Sequence, residues 1–111
     1  MQGFQLTFFC EQDRRIGHQP VSAWMIDRCR PLGVGGVTVR VDAQALGGEG
    51  RLHSAGFFEL GDQPMEITVV ATPDQADHLL AELQAQQVDL FYVKAAVDFG
   101  HIGAGAQERP A

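Results

Sequence analysis

An α+β fold, one antiparallel sheet with two helices on one face, is predicted by three observations on this 111-residue chain. Four segments alternate apolar and polar residues with the period of two expected of strands. Two segments carry apolar residues at helical spacing, and the order along the chain is β-α-β-β-α-β. Between the second and third strands lie roughly twenty residues with no regular pattern, far beyond the two to five of an ordinary hairpin. A loop of that length in so small a domain points to a functional part, and the chain is organised around it.

The first strand spans about residues 4–10, where Phe4, Leu6, Phe8 and Cys10 alternate with Gln5, Thr7 and Phe9. Residues 11–17 are polar and read as a connection. Pro20 suits the first turn of a helix, where its missing N–H is no loss. Val21, Met25, Cys29 and Leu32 then form one apolar stripe beside Trp24. Pro31 should end or kink this helix, and Gly33 is a natural stop. The second strand runs through Val37-Thr38-Val39-Arg40-Val41-Asp42, and the third carries Met65, Ile67 and Val69 against Glu66, Thr68 and Val70. Thr72-Pro73-Asp74-Gln75 starts the second helix: Thr72 caps, Pro73 takes the first position and Gln75 completes a capping box. Its apolar face is Ala76, Leu79, Leu80 and Leu83, extended by Val88. The last strand covers about 90–99, with Phe91, Val93, Ala95 and Val97 on one side and Tyr92, Lys94, Ala96 and Asp98 on the other. Residues 1–100 thus form one domain, and 101–111 read as a flexible tail.

This order is the split βαβ of ferredoxin-like folds. Two helices on one face leave the other sheet face open. That face is expected to show Thr7, Phe9, Thr68, Val70, Tyr92 and Ala96 with Arg40, Glu66 and Lys94. It is too apolar for water and too charged for a dry core, which sheet-to-sheet oligomerisation would resolve.

The formal charge of −6 and a pI near 5.0 argue against nucleic acid as a partner, since no basic stripe is available to neutralise phosphates. No stretch approaches the roughly 20 apolar residues of a membrane span, and the start lacks the basic n-region of a signal peptide. Cys10 and Cys29 form no C-x-x-C pair and sit inside predicted elements, so they read as reduced core thiols of a cytoplasmic protein.

No catalytic constellation is found. There is no Walker-type phosphate loop, and the single lysine, Lys94, lies in a strand. Gly48-Glu49-Gly50-Arg51-Leu52-His53 approaches G-x-G-x-x-G but ends in His and leads to a strand, not a helix, so a Rossmann reading fails on context. Metal-ligand spacing and a nucleophile turn are both missing. His53 stands out among four scattered histidines. With Arg51 and Ser54 it places donors and positive charge on a glycine-rich backbone, through Gly47, Gly48 and Gly50, able to hold phosphate or carboxylate. The bland alternative is a solvated loop whose Arg and His do nothing specific.

Gly33-Val34-Gly35-Gly36-Val37-Thr38-Val39 resembles the G-[IV]-x-G-[MA]-T-V segment that enters the second strand of PII signalling proteins, with Val37 in place of Met or Ala. The runs Gly50-Arg51-Leu52-His53-Ser54-Ala55 and Asp62-Gln63-Pro64 resemble the PII-like branch catalogued as domain of unknown function 190. The likeness covers about residues 4–99. It implies a trimer whose sheets face a central axis, and it makes the 43–62 loop the counterpart of the T-loop that docks target proteins. It also implies adenine-nucleotide binding in clefts between subunits, with Thr38 near the base and Gly47 at the loop base. Two departures stand against ATP. The usual G-F-G is Ala45-Leu46-Gly47, and the glycine-rich phosphate segment with its lysine is replaced by Ala85-Gln86-Gln87-Val88-Asp89.

The leading expectation is a non-enzymatic, trimeric PII-like regulator binding a small anionic effector, with Thr38, Gly47, Gly48, Gly50, Arg51, His53 and Ser54 as candidate ligand-binding residues and no metal site. The cofactor is left unknown. One alternative is a metal-binding protein of the divalent-cation-tolerance type, with His53 joined by Cys10 or a neighbouring carboxylate. Another is a small α+β-barrel enzyme using His53 or His18 as base.

Overall fold

The computed structural model describes residues 1–41 and 64–103. The elements are β1 (Gln2–Glu11), β2 (Arg15–Ile16), β3 (Gln19–Pro20), α1 (Val21–Leu32), β4 (Val37–Val41), β5 (Pro64–Ala71), α2 (Pro73–Ala85) and β6 (Phe91–Asp98). The main sheet has the order β4-β5-β1-β6, and every paired neighbour is antiparallel. β1 lies between β5 and β6, which makes this the ferredoxin-like α+β arrangement expected from the chain order.

Registers decide which residues share a face, because directly opposite residues point the same way. Leu6, Phe8 and Cys10 lie opposite Val69, Ile67 and Met65, all buried beneath the helices. The helices close this core with Val21, Trp24, Met25 and Cys29 from α1 and Ala76, Leu79 and Leu83 from α2. Leu32, Leu80 and Val88 pack against it partly buried, Val88 from beyond the end of α2.

The same registers correct one expectation. Tyr92, Lys94 and Ala96 lie opposite Phe8, Leu6 and Phe4, so they belong to the helix side of the sheet and not to the open face. The Phe8 and Tyr92 rings approach to 5.9 Å between centroids, and Lys94 Nζ sits 4.3 Å from the centre of the Phe4 ring. The open face instead receives Phe91, Val93, Ala95 and Val97, opposite Phe9, Thr7, Gln5 and Gly3. The reason is that β6 is an edge strand at the border of the helical layer. Its inner side tolerates amphipathic Tyr and Lys whose polar ends reach water. The open face is therefore more apolar along β1 and β6 than the sequence suggested, with Phe91 48% and Val93 42% exposed. Its charged corner remains: Arg40 lies opposite Glu66 in register.

Two local features depart from or sharpen the sequence reading. The polar connection after β1 contains a small ribbon, with Arg15 and Ile16 paired to Pro20 and Gln19 across Gly17-His18. Gly17 has φ +62, as a two-residue hairpin turn requires. Pro20 caps α1 rather than entering it, and Gly33 closes the helix in the left-handed conformation at φ 84. Pro31 lies within the last turn of α1.

The second helix begins as its sequence signature requires. The Gln75 N–H donates to Thr72 Oγ1 (3.3 Å), and the Thr72 N–H donates to Gln75 Oε1 (2.9 Å). Gln75 Nε2 also donates to the Leu32 carbonyl at 3.2 Å, tying the start of α2 to the end of α1. Gln75→Ala should therefore destabilise the domain by about 1–2 kcal/mol, from the lost cap and the orphaned Leu32 carbonyl. Gln75→Glu, which restores only the capping acceptor, should recover part of that loss in urea denaturation.

Candidate functional site

At one corner of the open face the sheet leaves a cavity of about 360 Å³. Gly35 and Gly36, which lead from α1 into β4, form one wall, and Thr38 stands just inside the strand. Thr68 and Val70 of β5 form the floor. Phe99, Gly100 and His101, where the chain leaves β6, close the remaining side. Thr38 lies opposite Thr68 in register, so the two hydroxyls come from paired positions on one face. The volume falls in the range of small-molecule sites.

The local sequence explains how these walls arise. Gly33 ends α1, and its turn aims the chain at the sheet edge. The Gln75 bond to the Leu32 carbonyl fixes that exit against α2. On the opposite wall the Phe99 N–H donates to the Met1 carbonyl at 2.8 Å, carrying the β1–β6 pairing one step past the strand end.

Of the candidate ligand-binding residues, Thr38 lines this cavity. Gly47, Gly48, Gly50, Arg51, His53 and Ser54 lie outside the described residues, as does the rest of the 43–62 loop. Gly100 and His101, which the sequence assigned to the domain end and the start of the tail, are cavity walls. By sequence, Phe99 is only the end of a strand. The signal that would have found it is parity: Phe99 continues the series Phe91, Val93, Ala95 and Val97, all on the open face.

A second, smaller cavity of about 110 Å³ lies between α2 and β6, bounded mainly by Phe8, Leu80, Leu83, Val88, Leu90 and Tyr92. It is a gap at the edge of the core. Among the described residues no group of three His, Cys, Asp or Glu side chains converges on a possible metal position. Burial pushes the Cys10 thiol up to about 11; Arg14 opposes the shift, while Glu11 and Asp13 add to it. Burial raises Cys29 to about 11 as well, with Glu82 contributing. Neither thiol supplies thiolate near neutral pH, so neither is prepared as a nucleophile. Among the described residues no helix is long and apolar enough to cross a membrane.

The DUF190 family model, described as "Uncharacterized ACR", matches residues 3–97. No curated protein matches the sequence. The fold is similar to that of a PII-like signalling protein from Thermus thermophilus, at 16% identity over 87% of each chain and a TM-score of 0.55. It is also similar to CPII from Thiomonas intermedia bound to ADP, AMP and acetate, at 17% identity over 90% of each chain and a TM-score of 0.59. The same protein bound to ADP and bicarbonate matches at 15% identity over 87% of each chain, with a TM-score of 0.56. At these identities the likeness establishes the fold.

The thiols give a pH-dependent expectation. Both pKa values rise from 9.0 toward 11 on folding. The folded state therefore holds its protons more tightly, and this contribution is complete below pH 9 and lost as pH rises toward 11. Denaturation midpoints should fall across that window and fall less in Cys10→Ala/Cys29→Ala. A thiol reagent at pH 7.5 should label both cysteines only on unfolding.

Proposed function

Because this chain belongs to the DUF190 family, we propose that it is a non-enzymatic PII-like regulator that binds a small anionic effector of the adenine-nucleotide class at the Thr38 cavity. The observation that carries the reading is the placement of Thr38: the residue singled out by its motif stands in a cavity of ligand size, between a glycine-rich entry and an aromatic wall. Structures of similar fold are described as holding ADP and AMP, which supports the choice of ligand class. The described walls offer hydroxyls, an imidazole and backbone but no Lys or Arg. The phosphates would then be met by Arg51 and His53, with Ser54 and the backbone of Gly47, Gly48 and Gly50, around the mouth of the site.

The assembly we propose is a homotrimer packed through the open face. A face on which Phe91 and Val93 stand exposed beside Val97 is unfavourable in water, costing about 25 cal/mol per Å² of exposed apolar surface. Burying it against copies of itself brings the cavity to a subunit boundary. Effector binding would bias the 43–62 loop between arrangements that a partner protein distinguishes, a population shift set by differential affinity. We place this work in the cytoplasm, consistent with two reduced core cysteines.

Titration calorimetry with ATP, ADP, AMP and cyclic AMP tests the ligand. Saturable binding of at least one is expected, weakened about threefold to tenfold by Thr38→Ala, the equivalent of one hydrogen bond. Silence across the panel would remove the nucleotide. Light scattering should give three chains per particle, and Val93→Asp should shift the protein to monomer while its far-ultraviolet circular dichroism stays native.

A further inference from the structure

We propose that Phe99, seated on Gly3, is the wall that selects a planar heteroaromatic ring in the Thr38 cavity, with Gly3 as its positioning residue. The inference rests on the ligand reading above and deepens it by assigning specificity to an aromatic contact.

Gly3 is buried within β1, and its backbone is not in the left-handed region, so conformational freedom does not explain it. Space does. A Cβ at position 3 would lie 2.1 Å from the Ala71 carbonyl oxygen and 2.7 Å from Phe99 Cε1, both under the 3.0 Å that real Cβ contacts respect. The missing side chain at Gly3 leaves room for the Phe99 ring against the sheet, where Phe99 also lines the cavity. The main chain of Phe99 is held on both sides: its N–H donates to the Met1 carbonyl (2.8 Å), and its carbonyl accepts from the Met1 nitrogen (2.9 Å). The backbone that carries the ring is therefore held before any ligand arrives, which lowers the ordering cost of binding.

The remaining walls complete a recognisable chemistry. The Thr38 and Thr68 hydroxyls can each donate and accept, as an imidazole such as His101 can through its two nitrogens. Val70 adds an apolar patch. A flat π surface with a few edge-reading polar groups, and no Lys or Arg among the described walls, suits an uncharged heteroaromatic ring such as a nucleobase and not a phosphate. A phenylalanine that only covered the end of the sheet would be needed for stability and indifferent to what the ligand carries.

The experiment compares AMP, adenosine and ribose 5-phosphate on the full chain by calorimetry, in the natural protein and in Phe99→Ala, Phe99→Leu and Phe99→Trp, each checked for a cooperative thermal transition. Phe99→Ala and Phe99→Leu should weaken AMP and adenosine about tenfold or more, the scale of a lost base–aromatic stack. Ribose 5-phosphate should bind equally to all variants, and Phe99→Trp should keep AMP affinity with its added indole fluorescence quenched on binding. Gly3→Ala, where it folds, should mimic Phe99→Ala. If the natural protein binds AMP and the Phe99 variants bind it equally well, the inference falls while the nucleotide reading stands. If the natural protein binds neither AMP nor adenosine, both fall together.

Discussion

The antiparallel pairing of β1 on both of its edges is the constraint from which the rest follows. Because Phe8 lies opposite Ile67 on one side and Tyr92 on the other, the inward parity of one strand fixes that of its neighbours. A slip of one residue would turn Leu6, Phe8 and Cys10 outward and bring Gln5, Thr7 and Phe9 under the helices. Burying Leu6 and Phe8, at about 1.5–3 kcal/mol per large apolar side chain, makes that slip prohibitive. The composition of the open face is then settled without further choice, including the apolar row that β6 contributes.

That constraint also marks where sequence reading reached its limit. Period two divides a strand into two sides but does not say which side is inward. For β1 and β5 the answer was plain, since Leu6, Phe8, Ile67 and Val69 are buried against sides bearing Thr and Gln or Thr and Glu. For β6 both sides mix apolar residues with others, and pairing with β1, a long-range interaction, made the decision. The capping box of α2 was legible because every participant lies within four residues. The ribbon of β2 and β3 is not legible by periodicity, because two-residue strands have none, although Gly17-His18 is a hairpin dipeptide.

The candidate site shows the same division. Thr38 was found through a motif, Gly33 to Val39, whose meaning is local: a helix stop, a glycine-rich turn and a strand start. Phe99 and His101 carry no motif, and they join Thr38 although β1 and β5 separate β4 from β6, because the chain leaving β6 comes back against Gly3 of β1. A corner made by three chain segments distant in sequence cannot be seen by scanning windows. Gly3 is the instructive residue here. It lies at the start of a strand, where glycine costs about 0.5–1 kcal/mol of order relative to alanine, and its reasons are the Ala71 carbonyl across the sheet and a ring 96 positions further along the chain.

A glycine that serves space differs from one that serves conformation, and the two make different demands on evolution and engineering. Gly33 is held by its positive φ: any L residue there meets backbone strain whatever surrounds it. Gly3 is held by what lies above it, so its tolerance depends on residue 99 and on the Ala71 carbonyl. Shrinking Phe99 relieves only one of those contacts, and the carbonyl remains 2.1 Å away. The seat at Gly3 therefore belongs first to the sheet and second to the ring. Phe99 occupies room that the close packing of β1 on β5 had already made compulsory, and an aromatic wall at the corner of the open face is a use to which that room has been put.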